Sequence, residues 1–171
     1  RFVERAEPWE RLKLRMLNGS HSTIAYCGML AGWPTVDAAI AQPALRRFVD
    51  ALMREEIAPT LVEDLPGVDL ETYRVELLAR FANPALAHRT AQIAMDGSQK
   101  LPQRLLGTAR ERLAAGLPIA RLALAVAAWL HHLRGTDETG RPITIDDPLA
   151  RELGALQREA TLQDGNRARA L

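Results

Sequence analysis

Three side chains near the start of the chain are of types that could act at a reacting alcohol or carbonyl. Lys13, Asn18 and His21 sit in Lys13-Leu-Arg-Met-Leu-Asn18-Gly-Ser-His21. An amine can exchange a proton with a hydroxyl, an amide can hold an oxyanion, and an imidazole can hydrogen-bond a second hydroxyl. Taking the proton of an alcohol hydroxyl requires a base. A lysine serves where desolvation or a nearby cation lowers its pKa toward ~7–8. A zinc-based route needs three or four Cys, His or carboxylate ligands, and one cysteine with scattered histidines gives it little support.

The elements that must position these groups read as helices almost throughout. Ala, Leu, Arg and Glu dominate, and alternating β-branched runs are missing. Pro8 can open a helix whose apolar stripe passes through Leu12, Met16, Leu17, Ile24 and Met29 until Pro34 stops it. On an ideal α-helix Asn18 lies about 140° and His21 about 80° round from Lys13, with Lys13 and His21 ~12 Å apart along the axis. Convergence is then feasible only if the lysine reaches toward the C-terminal end. Asn18-Gly-Ser-His-Ser22 is a poor helix-forming string inside an apolar helix, a local conflict most often tolerated at functional sites.

Further helices are expected at Val36–Ala41, from Pro43 to Pro59, and at Leu70–Phe81 with Asp69 as N-cap. Others are expected from Pro84 through His88 to Met95, at Gln99–Ala115, at Leu117–Leu133 as the central helix, and from Leu149 to about Leu162 behind Asp146-Asp147. Roughly eight broken helices with short connections predict an all-α, multi-helical globular domain and not an ideal bundle.

Composition narrows the class. The 171 residues suit one domain, and 47% apolar residues are enough for a real core. A formal net charge of +1 gives no electrostatic footprint for nucleic acid or an anionic membrane. Cys27 alone can make neither an internal disulfide nor a thiolate cage, and is read as a buried small hydrophobe. The longest apolar run, Leu122–Leu130, is 9 residues, far short of the ~20 that span a bilayer. With charged first residues, the expected location is the cytoplasm. There is no GxGxxG or GxxxxGK[ST] phosphate loop.

Lys13-x4-Asn18-x2-His21 resembles the C-terminal domain of the long-chain mannitol dehydrogenase family, which includes mannitol 2-dehydrogenase and fructuronate (mannonate) reductase. The resemblance continues through Ala79-Arg-Phe-Ala-Asn-Pro84, Ala94-Met-Asp-Gly-Ser-Gln-Lys-Leu-Pro-Gln-Arg104 and Asp146-Asp-Pro-Leu-Ala150, in family order, over about Pro8–Leu156. It implies a fold like the 6-phosphogluconate dehydrogenase C-terminal domain. It implies a metal-independent hydride transfer between a polyol and a ketose, or a hexonate and a keto-hexuronate. The cofactor, NAD or NADP, would be bound mainly by an N-terminal Rossmann domain of the same polypeptide that this chain lacks. By motif match Lys13 is the acid/base, Asn18 helps hold the alkoxide and His21 positions a hydroxyl. Lys100 and Arg104 are expected to hold substrate hydroxyls or a carboxylate, although Lys100 could also form a plain i,i+4 pair with Asp96.

On this reading residues 1–7 are a linker remnant, 8–163 the substrate domain and 164–171 a frayed tail. The rival reading is a non-catalytic all-helical interaction module. A different dehydrogenase family sharing this helical partner domain is a third. His131-His132 point about 100° apart and are expected to serve the dipole of their helix, not a metal. His88 is expected to be structural or exposed, and Trp9, Trp33 and Trp129 to pack in the core or a lid. Asp146-Asp147 are expected to cap a helix.

Overall fold

The structure, a computed structural model, describes residues 6–157 and residue 159. The end of the expected domain and its tail lie outside them. The all-α expectation holds: the described residues contain helices and two isolated bridges, Thr35 with Arg89 and Thr136 with Pro142.

The first helical stretch runs unbroken from Glu7 to Ala31, in three parts. It begins as α1 (Glu7–Leu12), continues as the π-wound segment π1 (Lys13–Gly19), and returns to α geometry as α2 (Ser20–Ala31). Pro8 sits in the first turn, where its missing N–H costs nothing. Gly32, at φ 76°, closes α2, with the Trp33 N–H bonded to the Gly28 carbonyl at 2.8 Å.

Thr35 caps α3 (Val36–Ile40), and Pro43 opens α4 (Pro43–Ala51), which runs into a second π segment, π2 (Leu52–Ile57). Asp69 caps α5 (Leu70–Phe81), its carboxylate accepting the Thr72 N–H at 2.9 Å.

The helix expected from Pro84 to Met95 does not form as one piece. A single 3₁₀ turn, Pro84–Leu86, ends at Ala87 with φ 43°, and α6 (Thr90–Ala94) starts afresh. The break lets residues 88–90 pair with the segment before α3. Val36 N–H donates to the His88 carbonyl at 2.9 Å, and Thr90 N–H to the Pro34 carbonyl at 3.0 Å.

Asp96, at φ 54°, precedes α7 (Gly97–Leu101), which starts earlier than expected. It continues as π3 (Pro102–Leu106) and α8 (Gly107–Ala114). The central helix α9 (Ala120–His132) starts later than Leu117. Residues 150–157 are helical, as expected there.

Met16, Ile24 and Tyr26 of the first stretch meet Val49, Leu52, Met53 and Ile57 of α4 and π2, Leu101 and Leu105, and Leu122 of α9 in one core. Burying such side chains contributes roughly 1.5–3 kcal/mol each. A buried carboxylate completes α9. Glu56 of π2, 2% exposed, accepts the N–H groups of Arg121 and Leu122 at 2.9 and 2.8 Å. It does from a distance what Ile119, with no side-chain acceptor, cannot do locally.

Candidate active site

The contact between π1 and π3 sets the site. A Cβ built on Gly19 would stand 2.8 Å from the Arg104 carbonyl oxygen and 3.3 Å from Leu105 Cδ2. Only glycine lets the two backbones approach this closely. That is the physical reason for the weak helix former beside Asn18. On the next turn, Arg104 Nη1 donates to Ser22 Oγ at 2.9 Å, tying the second helix to the first.

Between them lies a cavity of about 310 Å³ lined by Asn18, His21, His88, Arg89, Gln92, Ile93, Lys100 and Arg104. Four of the five expected site residues therefore share one wall system. Lys13 lines an adjoining depression with Leu17, Asp69, Glu76 and Arg80. A narrow middle depression joins the two, sharing Leu17 and Arg80 with one side and His21 and His88 with the other.

The expectation that Lys13 and Asn18 diverge by about 140° assumed α winding. In a π segment residue i bonds to i+5, so positions 13 and 18 rotate toward one face. No composition or periodicity signal announces that winding.

His21 is held by its neighbours. Its ring stacks on Phe81 at 5.3 Å between centroids and lies 5.4 Å from that of His88. Burial, then the charges of His88, Arg104 and Arg80, push its pKa down to about 4. The ring is neutral at physiological pH and can either donate or accept at Nε2. That atom is buried and has no hydrogen-bond partner among the described residues. A buried polar atom without a partner is costly, and here it belongs to a cavity wall where a ligand hydroxyl would satisfy it.

Lys100 combines both readings offered for it. Its amine donates to the Met95 carbonyl at 2.6 Å and lies 3.8 Å from Asp96, and the same side chain lines the cavity. Sequence reasoning did not single out Arg80, Arg89 or Gln92, and it set His88 aside. The usable signal was the sequence Asn83-Pro84, which ends one helix and leaves the following residues to turn back over the site.

One lesser expectation needs correction and another is extended. His132 does not serve the helix dipole as a cation. It is 3% exposed against Tyr26, and burial lowers its pKa to about 4. His131 instead faces Glu138 at 3.4 Å. Asp147 caps more than the last helix: it accepts Leu149 N–H at 2.9 Å and Ser98 N–H at 2.7 Å, fastening α7 from outside. Cys27 is partly buried, and burial pushes its thiol up to about 11. Among the described residues no group of three or more His, Cys, Asp or Glu could hold a metal, and no helix is long and apolar enough to cross a membrane.

Fold and site define an all-helical domain with one polar, cation-rich cavity between two π-wound segments. The chain belongs to the family described as the mannitol dehydrogenase C-terminal domain, whose profile matches residues 5–171. The resemblance read from the four motifs is thereby borne out. It is 48% identical over 171 residues to D-mannonate oxidoreductase of Escherichia coli, covering 99% of this chain and 34% of that protein. It is 41% identical over 153 residues to mannitol 2-dehydrogenase of Phaeosphaeria nodorum, covering 90% of this chain and 27% of the relative. Among solved structures, Pseudomonas fluorescens mannitol 2-dehydrogenase in a ternary complex with NAD and D-mannitol superposes with a TM-score of 0.86 at 36% identity. That match covers 91% of this chain and 32% of the other. The chain thus spans about a third of the length of these relatives.

Proposed function

We propose that this chain is the substrate half of an NAD(P)-dependent dehydrogenase that interconverts a sugar alcohol and a ketose, or a hexonate and a keto-hexuronate, without a metal. The nucleotide would be held by an N-terminal Rossmann domain preceding this sequence, since the described residues include no strand to build a nucleotide-binding sheet. A nicotinamide cofactor supplies the hydride exchange. This chain's own residues handle the proton and the orientation.

In the oxidation direction Lys13 Nζ takes the hydroxyl proton as the carbon loses hydride and its C–O bond becomes a carbonyl. The Asn18 amide donates to the alkoxide oxygen without adding charge. Neutral His21 bonds a neighbouring hydroxyl through Nε2 and fixes which carbon reacts. Lys100 and Arg104 hold the far end of the substrate. Lys13 lies at the exposed edge of the site, where a second domain would cover it and exclude water.

The observation that carries this reading is the single wall system bringing Asn18, His21, Lys100 and Arg104 together, with the unpartnered His21 Nε2 on it. The test is turnover of the full-length protein on fructose, fructuronate and tagaturonate with NADH and NADPH, for wild type and Lys13→Ala. Loss of turnover by 10²–10⁴-fold in a folded variant is expected. Retained turnover would leave the interaction-module reading standing. Titration of NADH into these 171 residues alone should show no micromolar binding.

A further inference from the structure

One cation on the wall of the cavity has no partner of its own among the described residues. Three permanently charged side chains line it: Arg89, Lys100 and Arg104. Lys100 is engaged by the Met95 carbonyl and Asp96, and Arg104 by Ser22 Oγ. The Arg89 guanidinium has no hydrogen-bond or ion-pair partner among the described residues, and no carboxylate lines the cavity with it. Asp37 lines the neighbouring depression instead.

The backbone beneath Arg89 is fixed. Arg89 forms the isolated bridge with Thr35, and its neighbours His88 and Thr90 are bonded to Val36 and Pro34. Thr90, 1% exposed, adds a bond from Oγ1 to the Trp33 carbonyl at 2.9 Å. A fork of five donors on a pinned backbone, facing a polar cavity, is poised for a planar anion. A neutral polyol offers that fork no anionic partner.

We propose that Arg89 is the specificity residue of the site and that it binds the carboxylate of a sugar acid in two parallel N–H···O bonds. This rests on the proposed dehydrogenase function and narrows it to the hexonate and keto-hexuronate class. One unengaged guanidinium balances the single negative charge of a carboxylate. Pairing Arg89 with the acid group at one end of the chain places the carbinol carbons near His21 and Asn18 on the same cavity wall.

The test uses the full-length protein, with kcat and KM measured on an aldonate, on the neutral polyol of the same configuration and on that polyol's monophosphate. The wild type should prefer the aldonate. Arg89→Gln should lower the aldonate-to-polyol ratio of kcat/KM roughly 10- to 100-fold, the range expected for losing a charge-assisted bidentate contact, and should do so through KM more than kcat. Arg89→Lys should recover only part of the loss, because an ammonium cannot form the parallel pair. The Kd of the aldonate by calorimetry should follow KM.

A ratio unchanged in Arg89→Gln, or a wild type that prefers the polyol or its phosphate, overturns the assignment to Arg89 while leaving a dehydrogenase in place. A wild type that turns over none of the three overturns the proposed function, and this inference with it. Arg89 is exposed, so the variant should keep its thermal midpoint, and a scan verifies that a changed ratio is not misfolding.

Discussion

Gly19→Ala tests whether the approach of π1 to π3 builds the site. The added methyl would stand 2.8 Å from the Arg104 carbonyl oxygen, whereas ordinary contact begins at 3.4 Å, so the two backbones must part by about 0.6 Å. The obstacle is main chain, which cannot swing aside as a side chain can. Overpacking of this kind costs roughly 1–3 kcal/mol, and replacing a helical glycine by alanine returns about 1 kcal/mol. The expected net loss is about 0–2 kcal/mol, or a Tm fall of up to roughly 8 °C for a domain of this size.

The same separation moves the wall carrying Lys100 and Arg104 away from the one carrying Asn18 and His21. KM in the full-length protein should therefore rise even where the fold survives. Gly107→Ala is the control. Its nearest outside atom, the Pro102 carbonyl oxygen, is at 3.3 Å, and it should cost less. Differential scanning calorimetry of both variants decides the point. A Gly19→Ala protein as stable as the wild type, with unchanged KM, would refute the close-approach argument.

Other consequences can be measured on the same material. His132 falls from 6.5 unfolded to about 4 folded. The unfolded chain therefore takes up its proton first as pH drops, so stability is complete above 6.5 and is lost between 6.5 and 4, by at most about 3 kcal/mol from this residue. His21 adds a loss of the same sign in the same window. Urea midpoints across that range should flatten in His132→Phe, which keeps the ring against Tyr26 but cannot titrate; an equally steep profile in the variant would be contrary. Glu56→Ala strips two N–H groups at the start of α9 of their carboxylate and should cost about 2–4 kcal/mol in chemical denaturation, with Glu56→Gln intermediate. A value below 0.5 kcal/mol would mean the cap contributes nothing net.

The helical character of the chain was legible because Leu45, Val49, Leu52 and Met53 recur at spacings of three and four, and because Asp69 and Pro43 mark helix starts by simple capping chemistry. The winding of Lys13–Gly19 was not legible. π geometry here accompanies the tertiary contact of Gly19 with Arg104, 85 residues on, and no local window contains it. The same holds for Ala87, whose positive φ has no glycine or asparagine to announce it. The motif residues could be picked out from their order along the chain. Arg89 could not, because an arginine in a polar stretch looks like any solvated one until the turn at Ala87 sets it on the cavity rim and its neighbours are seen to have partners.

Glu56 caps a helix whose bonded N–H groups lie 65 and 66 residues further along the chain, which has a kinetic side. α9 is the support against which the His21-bearing helix α2 packs, yet its first turn has no acceptor of its own. Its N-terminus is secured only after a long segment has closed on itself, so the loop-closure entropy is spent before the capping bonds return anything. A contact of that kind forms on the native side of the folding barrier. Removing it should leave refolding close to its original rate and accelerate unfolding, so the cap governs how long the assembled site persists more than how quickly it forms.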